Sequence, residues 1–230
     1  MSTRVGVVLF PGSNCEYDVI EAVRSLGGDA EILWHGDRTV NGVDAVVIPG
    51  GFAHGDYLRP GAIARFSPVM ESVQVFASSG GPVVGICNGF QVLTEAGLLP
   101  GALQKNRGLK FLCAPASLRV ESTRSVLTSG AEVGQVLRVP VNHFEGNYTC
   151  SPETLRELQA DDRVVLRYVD NPNGSIDDIA GVCNAERNVV GLMPHPERAI
   201  NQLLGSSDGV VLLQSLLDAA TPASAASRTA

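Results

Sequence analysis

The chain has 230 residues, 44% of them hydrophobic, and a formal net charge of −7. That length supports a substantial core in one or two domains, and no cluster of Lys and Arg offers the basic face that nucleic acid or an anionic membrane would need. Five cysteines, at 15, 87, 113, 150 and 183 with no C-x-x-C pair, predict neither a disulfide framework nor a zinc site and fit a reducing cytoplasm.

The first half alternates strand-like and helix-like runs. The apolar start at 5–10 is too short for a signal-peptide core and reads as a first strand. A helix over 16–26 follows, with Ser13 or Asn14 as N-cap and Gly27-Gly28 as its stop. Strands over 30–34 and 44–48 come next, the latter running into Pro49-Gly50-Gly51. Helical material over 61–66 and 69–77 leads to a short apolar strand at 83–86 and a helix over 88–96. Continuous apolar strands separated by helices imply a parallel sheet covered on both faces.

Beyond about residue 108 the texture changes. Short β-like runs fall at 116–121, 133–139 and 164–168, and a helix over 152–159 carries Pro152 at its first turn. A late hairpin is expected from 179–183 and 189–193, then a last amphipathic helix over 208–219. The fold class is therefore α/β, a mostly parallel central sheet with helices on both faces and a small additional β region. One domain is expected over 4–219, with an Ala/Ser/Thr-rich, disordered tail at 220–230. No apolar run approaches the roughly 20 residues that span a bilayer.

Gly85-Ile86-Cys87-Asn88-Gly89 carries the strongest chemical signal. A nucleophile between a strand and a helix, with small residues two positions away on each side, has the pattern of a nucleophile elbow with sulfur in place of oxygen. The helix N-terminus beside Cys87 favours negative charge there. The same pentapeptide would also suit a buried structural cysteine at a tight turn. A cysteine nucleophile needs a base, and the base needs an orienting group. Met193-Pro194-His195-Pro196-Glu197-Arg198 supplies both types, on a segment that its prolines keep out of regular helix and sheet. H-P-E alone reads as a proline-rich surface turn; beside the elbow it predicts a triad of Cys87, His195 and Glu197. Ligands of open α/β sheets sit beyond the carboxyl ends of the strands, where Gly50-Gly51 can present backbone N–H groups to an oxyanion. Cys15, Cys113, Cys150 and Cys183 are expected to be structural, and His35 and His54 to pack or face solvent. Asp177-Asp178 has no convergent partners for a metal role.

Together G-I-C-N-G-F-Q at 85–91, P-G-G-F-A-H-G-D-Y at 49–57, N-P-N-G-S at 171–175, M-P-H-P-E-R at 193–198 and F-P-G-S-N-C at 10–15 resemble the class I glutamine amidotransferases. Within them they look like the glutaminase subunits of phosphoribosylformylglycinamidine synthase, and the likeness runs from about residue 4 to 217. It implies a flavodoxin-like fold and glutamine hydrolysis with Cys87 as nucleophile, His195 as general base and acid, and Glu197 as its orienter. It also implies oxyanion donors at Gly51 or Phe52 and at Asn88, and a glutamine pocket lined by Gln91 and the His143 segment. There the resemblance leads one to expect Gly after His143, and the chain has Phe144. The implied partners are a large synthetase subunit, which carries ATP and magnesium, and a small bridging subunit. This chain has no G-x-x-x-x-G-K-[ST] and is expected to hold no cofactor or metal. The 56–60 and 171–175 segments are expected to face the synthetase, and the isolated subunit to have low activity. Alternatives are another amidotransferase subunit, a stand-alone γ-glutamyl hydrolase, or a non-enzymatic relative using Cys87 as a redox-sensing thiol. A flavodoxin-like binding module has no phosphate-cradling loop to support it.

Overall fold

The computed structural model describes residues 2–40 and 42–221. Four strands open the fold: β1 (Arg4–Leu9), β2 (Asp29–Trp34), β3 (Ala45–Ile48) and β4 (Val83–Ile86). Between and after them lie α1 (Glu16–Ser25), α2 (Pro68–Ser78) and α3 (Asn88–Glu95). The second half contributes β5 (Ala102–Gln104), β6 (Leu112–Val120), β7 (Val136–His143), β8 (Asn147–Thr149), α4 (Pro152–Ala160), β9 (Val164–Tyr168), β10 (Ile179–Cys183), β11 (Val189–Leu192) and α5 (Gly209–Ala220).

Nine strands form one sheet in the order β2-β1-β3-β4-β11-β10-β9-β6-β7. The pairings from β2 through β11 are parallel, and from β11 onward they are antiparallel. The additional β region is thus an extension of the central sheet, plus a two-stranded pair of β5 and β8. Every residue of β3, β4, β10 and β11 is buried. Strands without an exposed face must be covered on both sides, which is why they contain only apolar residues and glycine. Strand order reverses at β1, between β2 and β3, so the crevice of a doubly wound sheet opens beyond the carboxyl ends of β1 and β3.

Several boundaries moved. Neither Ser13 nor Asn14 caps α1; Cys15 holds that position without a side-chain cap, while the Ser13 hydroxyl accepts from the Phe10 N–H at 3.1 Å. Only Ala64–Phe66 of the 61–66 run is helical, as one 3-10 turn, because Gly61 sits at φ +79 against the α3 backbone. The strand expected over 133–139 lies at Val136–His143, antiparallel to β6. The expected tail overlaps α5 at Ala220, and from residue 222 it lies outside the described residues.

Candidate active site

Strand β4 ends at Ile86 and α3 begins at Asn88, so Cys87 makes the whole turn by itself. Its backbone is left-handed, φ 52 and ψ −105, a strained state for a residue with a Cβ and one that concentrates at functional sites. The side chain is 6% exposed, and its thiol donates to the Asn142 carbonyl at 3.7 Å. The flanking glycines serve packing here. A Cβ on Gly85 would lie 2.6 Å from the Gly89 backbone, and one on Gly89 would lie 1.9 Å from the Ile48 carbonyl oxygen. Only glycine lets α3 approach β3 and β4 closely enough to place Cys87 at the sheet's edge.

His195 follows β11, the parallel neighbour of β4. Its N–H donates to the Pro140 carbonyl at 2.8 Å, and Pro196–Arg198 then form one 3-10 turn. That turn supplies the bend that residues two apart need to meet. His195 Nδ1 lies 2.6 Å from Glu197 Oε1, with both side chains essentially fully buried. Burial opposes the imidazolium, but the charges of Glu197 and Cys87 outweigh it and hold His195 well above the ordinary histidine range. With Nδ1 engaged, the buried Nε2 has no hydrogen-bond partner. His195 lines the same cavity as Cys87, of about 220 Å³.

Cys15, expected to be merely structural, adjoins this centre. Its sulfur accepts from the Arg198 guanidinium at 3.1 Å and donates to Asn14 Oδ1 at 3.1 Å. Cys15, His195 and Glu197 bring a sulfur, a ring nitrogen and a carboxylate oxygen within 4.8 Å of one another. These are metal-ligand types, yet the 2.6 Å bond between His195 and Glu197 sets two would-be ligands too close to share one ion.

The strap after β3 closes one side of the cavity. Asn88 pins it: Oδ1 accepts from the Ala53 N–H at 2.9 Å, and Nδ2 donates to Asp56 Oδ1 at 3.0 Å and to Gln91 Oε1 at 2.8 Å. Gln91 Nε2 donates in turn to the Glu145 carbonyl at 2.5 Å. Gln91 therefore lines the cavity, as expected, but both ends of its amide already brace the walls. Of the two oxyanion candidates in the strap, the Phe52 N–H is committed to the Gly12 carbonyl at 2.8 Å. That leaves the Gly51 N–H, and the Asn88 N–H at the start of α3, where helical bonding supplies no acceptor. Gly51 sits at φ +149, and a Cβ there would lie 2.7 Å from Ser13 Cα.

His143 ends β7 on the opposite wall. Asn106 Nδ2 donates to the Lys110 and His143 carbonyls at 2.9 and 3.0 Å, which fixes the amide's orientation. Its Oδ1 must then accept, so His143 Nδ1 carries the proton in the 3.1 Å contact between them. Burial, reinforced by the charge of His195, lowers His143 to about 4. It is neutral near pH 7, and its buried Nε2 is a bare, unpartnered acceptor. Phe144 is not among the residues with positive φ, so this loop needs no glycine there.

The Asn171–Ser175 segment exposes Pro172 but turns two polar side chains inward. Asn173 and Ser175 are buried; Asn173 Nδ2 donates to the Gly146 carbonyl at 2.8 Å, and the Ser175 hydroxyl accepts from the Tyr148 N–H at 3.0 Å. The segment buttresses the His143 loop from behind. In the strap, Arg59 is exposed but bound through two nitrogens to Glu95, at 2.5 and 2.6 Å.

Residues 2–208 match the CobB/CobQ-like glutamine amidotransferase domain family. The phosphoribosylformylglycinamidine synthase subunit PurQ of Rubrobacter xylanophilus is 58% identical over 93% of this chain and 97% of its own. The subunit of the same name from Koribacter versatilis is 52% identical over 94% and 98%. Among solved structures, the PurLQS structure from Thermotoga maritima superposes with a TM-score of 0.88 at 42% identity, covering 95% of this chain and 99% of that one. A putative GMP synthase protein from Thermoplasma acidophilum shares the fold, with a TM-score of 0.66 at 17% identity over 96% and 94%.

Proposed function

This chain belongs to the CobB/CobQ-like glutamine amidotransferase family, and on that premise we propose that it is the glutaminase subunit of phosphoribosylformylglycinamidine synthase. It hydrolyses glutamine and passes ammonia to a synthetase subunit of de novo purine biosynthesis. One observation carries the assignment of roles: a strained Cys87 shares a cavity with a buried His195 whose Nδ1 is held by Glu197 at 2.6 Å.

The Cys87 thiolate attacks the side-chain carboxamide of glutamine. The oxyanion forms against the backbone N–H groups of Asn88 and Gly51, fixed donors of the kind whose loss typically costs about 3 kcal/mol. The amide nitrogen is a poor leaving group until protonated, and His195 supplies that proton. The glutamyl thioester on Cys87 is then hydrolysed by water that His195 deprotonates. Glu197 orients the ring and stabilises the imidazolium present in both steps.

The ATP and magnesium of the amidination belong to the partner. Two subunits, a large synthetase and a small bridging one, are the partners that fit. The strap supports this: Phe52, which lines the cavity, and Tyr57 and Leu58 further along the strap expose their apolar side chains. All five thiols are unpaired, which fits the cytoplasm. No described helix is long and apolar enough to cross a membrane. The domain we propose spans 4–219.

The test is mass spectrometry after exposure to an electrophilic glutamine analogue with the synthetase present. A single adduct on Cys87, blocked by glutamine, is expected. No adduct, or adducts scattered over several cysteines, would return the redox-thiol reading to the front.

A further inference from the structure

Two residues that end the motifs at 10–15 and 193–198 have no part in the steps above, yet they meet in the fold. Cys15 is 2% exposed and precedes α1 without capping it, so its side chain serves something other than the helix. Its N–H donates to the Gly50 carbonyl at 3.2 Å, which anchors it to the start of the strap. Arg198 is fixed at both ends. Its N–H closes the 3-10 turn on the His195 carbonyl at 3.1 Å, and its guanidinium donates to Asp18 of α1 at 2.9 Å and to the Cys15 sulfur at 3.1 Å. The Cys15 thiol donates to Asn14 Oδ1 at 3.1 Å. With a donor and an acceptor both engaged, the sulfur cannot turn without breaking one of these contacts.

What that sulfur faces is the ring of His195. It lies within 4.8 Å of a ring nitrogen. Gly50 shows how closely the groups converge: a Cβ there would lie 2.7 Å from His195 Cε1, 3.0 Å from the Cys15 sulfur and 3.5 Å from Cys87 Cβ. The bond from Nδ1 to Glu197 fixes one corner of the imidazole. It leaves the far edge, Cε1 and Nε2, free to swing about that corner, and Cys15 stands beside that edge. Against burial, the charges of Glu197 and Cys87 raise His195, and the Cys15 sulfur adds to them.

We propose that Cys15, keyed in place by Arg198 and Asp18, is a positioning residue that holds the far edge of the His195 ring toward Cys87 through both proton transfers. The proposal rests on the glutaminase reading above and deepens it. Cys15 touches no substrate; it acts through the ring. A gap of about 0.5–1 Å beside a packed group forfeits roughly a quarter to a half of its contact energy, and a misplacement of about 1 Å can cost about 10²-fold in rate. Truncating the sulfur to a methyl opens such a gap, whereas a serine hydroxyl still accepts from Arg198.

The experiment is steady-state glutamate release by the complex with its synthetase, for wild type, Cys15→Ala, Cys15→Ser, Arg198→Met and the Cys15→Ala/Arg198→Met double variant, beside thermal melts of each chain. We expect Cys15→Ala to lower kcat by about tenfold while KM for glutamine stays within about twofold, the signature of an interaction needed only in the transition state. Cys15→Ser should return kcat to within about threefold of wild type, and Arg198→Met should lower it by about fivefold. The double variant should be within about twofold of Cys15→Ala, because both changes act through one ring. A folded Cys15→Ala with kcat within twofold of wild type overturns the proposal, as do single losses that multiply in the double variant. Should Cys15→Ala fail to fold, Arg198→Met decides: a kcat within twofold of wild type overturns the keying. If the wild-type complex releases no glutamate, the glutaminase reading fails and the proposal falls with it.

Discussion

Replacing Glu197 with Gln tests the core of the proposed mechanism at almost constant volume. The carboxamide oxygen of the replacement can still accept from His195 Nδ1, so the ring keeps its orientation. What disappears is a full negative charge 2.6 Å from a ring that solvent does not reach. Charged hydrogen bonds contribute about 1.5–3 kcal/mol against about 0.5–1.5 for neutral ones. Removing one partner of a buried charged pair costs about 3–5 kcal/mol where the other stays charged. The transition states need His195 charged, so they feel that loss. At 1.36 kcal/mol per tenfold, kcat should fall by about 10²–10⁴. The resting protein escapes the penalty, because burial lets His195 become neutral, and the melting temperature should move little. The assay is glutamate release by the complex with its synthetase, beside thermal melting of the same preparations. A Glu197→Gln enzyme within about threefold of wild-type kcat, and equally folded, would show that Glu197 does not stabilise a charged His195.

Four further outcomes follow from the same contacts. Gly89→Ala drives a Cβ to within 1.9 Å of the Ile48 carbonyl oxygen; overpacking against backbone should cost about 3 kcal/mol or more, read as a lower melting temperature or insoluble expression. Asn188→Ala removes two donors, to the Ala77 and Gly81 carbonyls at 2.8 and 2.9 Å, and should cost about 2–4 kcal/mol in urea unfolding without changing kcat. Asp56, raised to about 6 in the fold, binds its proton more tightly folded than unfolded; wild-type stability therefore falls as pH rises from about 4 to 6. Asp56→Asn should accordingly melt higher than wild type at pH 7.5, and the gap should close below about pH 4. Finally, the isolated chain should turn glutamine over slowly and accelerate when the synthetase is added, since the strap that carries Gly51 leaves the apolar side chains of Phe52, Tyr57 and Leu58 exposed for a partner to cover; equal rates with and without partner would dismiss this.

The parallel half of the fold was legible because β1, β3, β4 and β11 are buried almost throughout and carry little but apolar residues and glycine. The proposed triad could be read from the sequence because its chemistry needs particular atoms, and Cys, His and Glu stood in two short motifs. What the sequence concealed lay in pairings between distant segments. β6 and β7 pair across a long excursion, and their partly exposed faces dilute the apolar signal. β5 and β8 are three residues each and exist only because they pair with one another. Cys15 looked incidental since no base stands near it in sequence; His195 reaches it from the other end of the chain because the turns after β1 and β11 meet at the crevice. Asn106 gave no signal, although it alone fixes the tautomer of His143.

The glycines around Cys87 show where motif reading and structure diverge. As a pattern, G-x-C-x-G suggests that small residues clear space for a substrate. In the fold, the space that Gly85 and Gly89 leave is filled by the α3 and β3 backbones. The motif therefore works by distance. It brings a helix against a sheet so closely that one residue must turn the chain, and that residue is forced to φ 52. Strain at Cys87 is a consequence of core packing and is held in place by it. An alanine at Gly89 should then damage activity and stability together, whereas Glu197→Gln should damage activity alone. Two variants with the opposite ratio of effects would break this link between packing and catalysis.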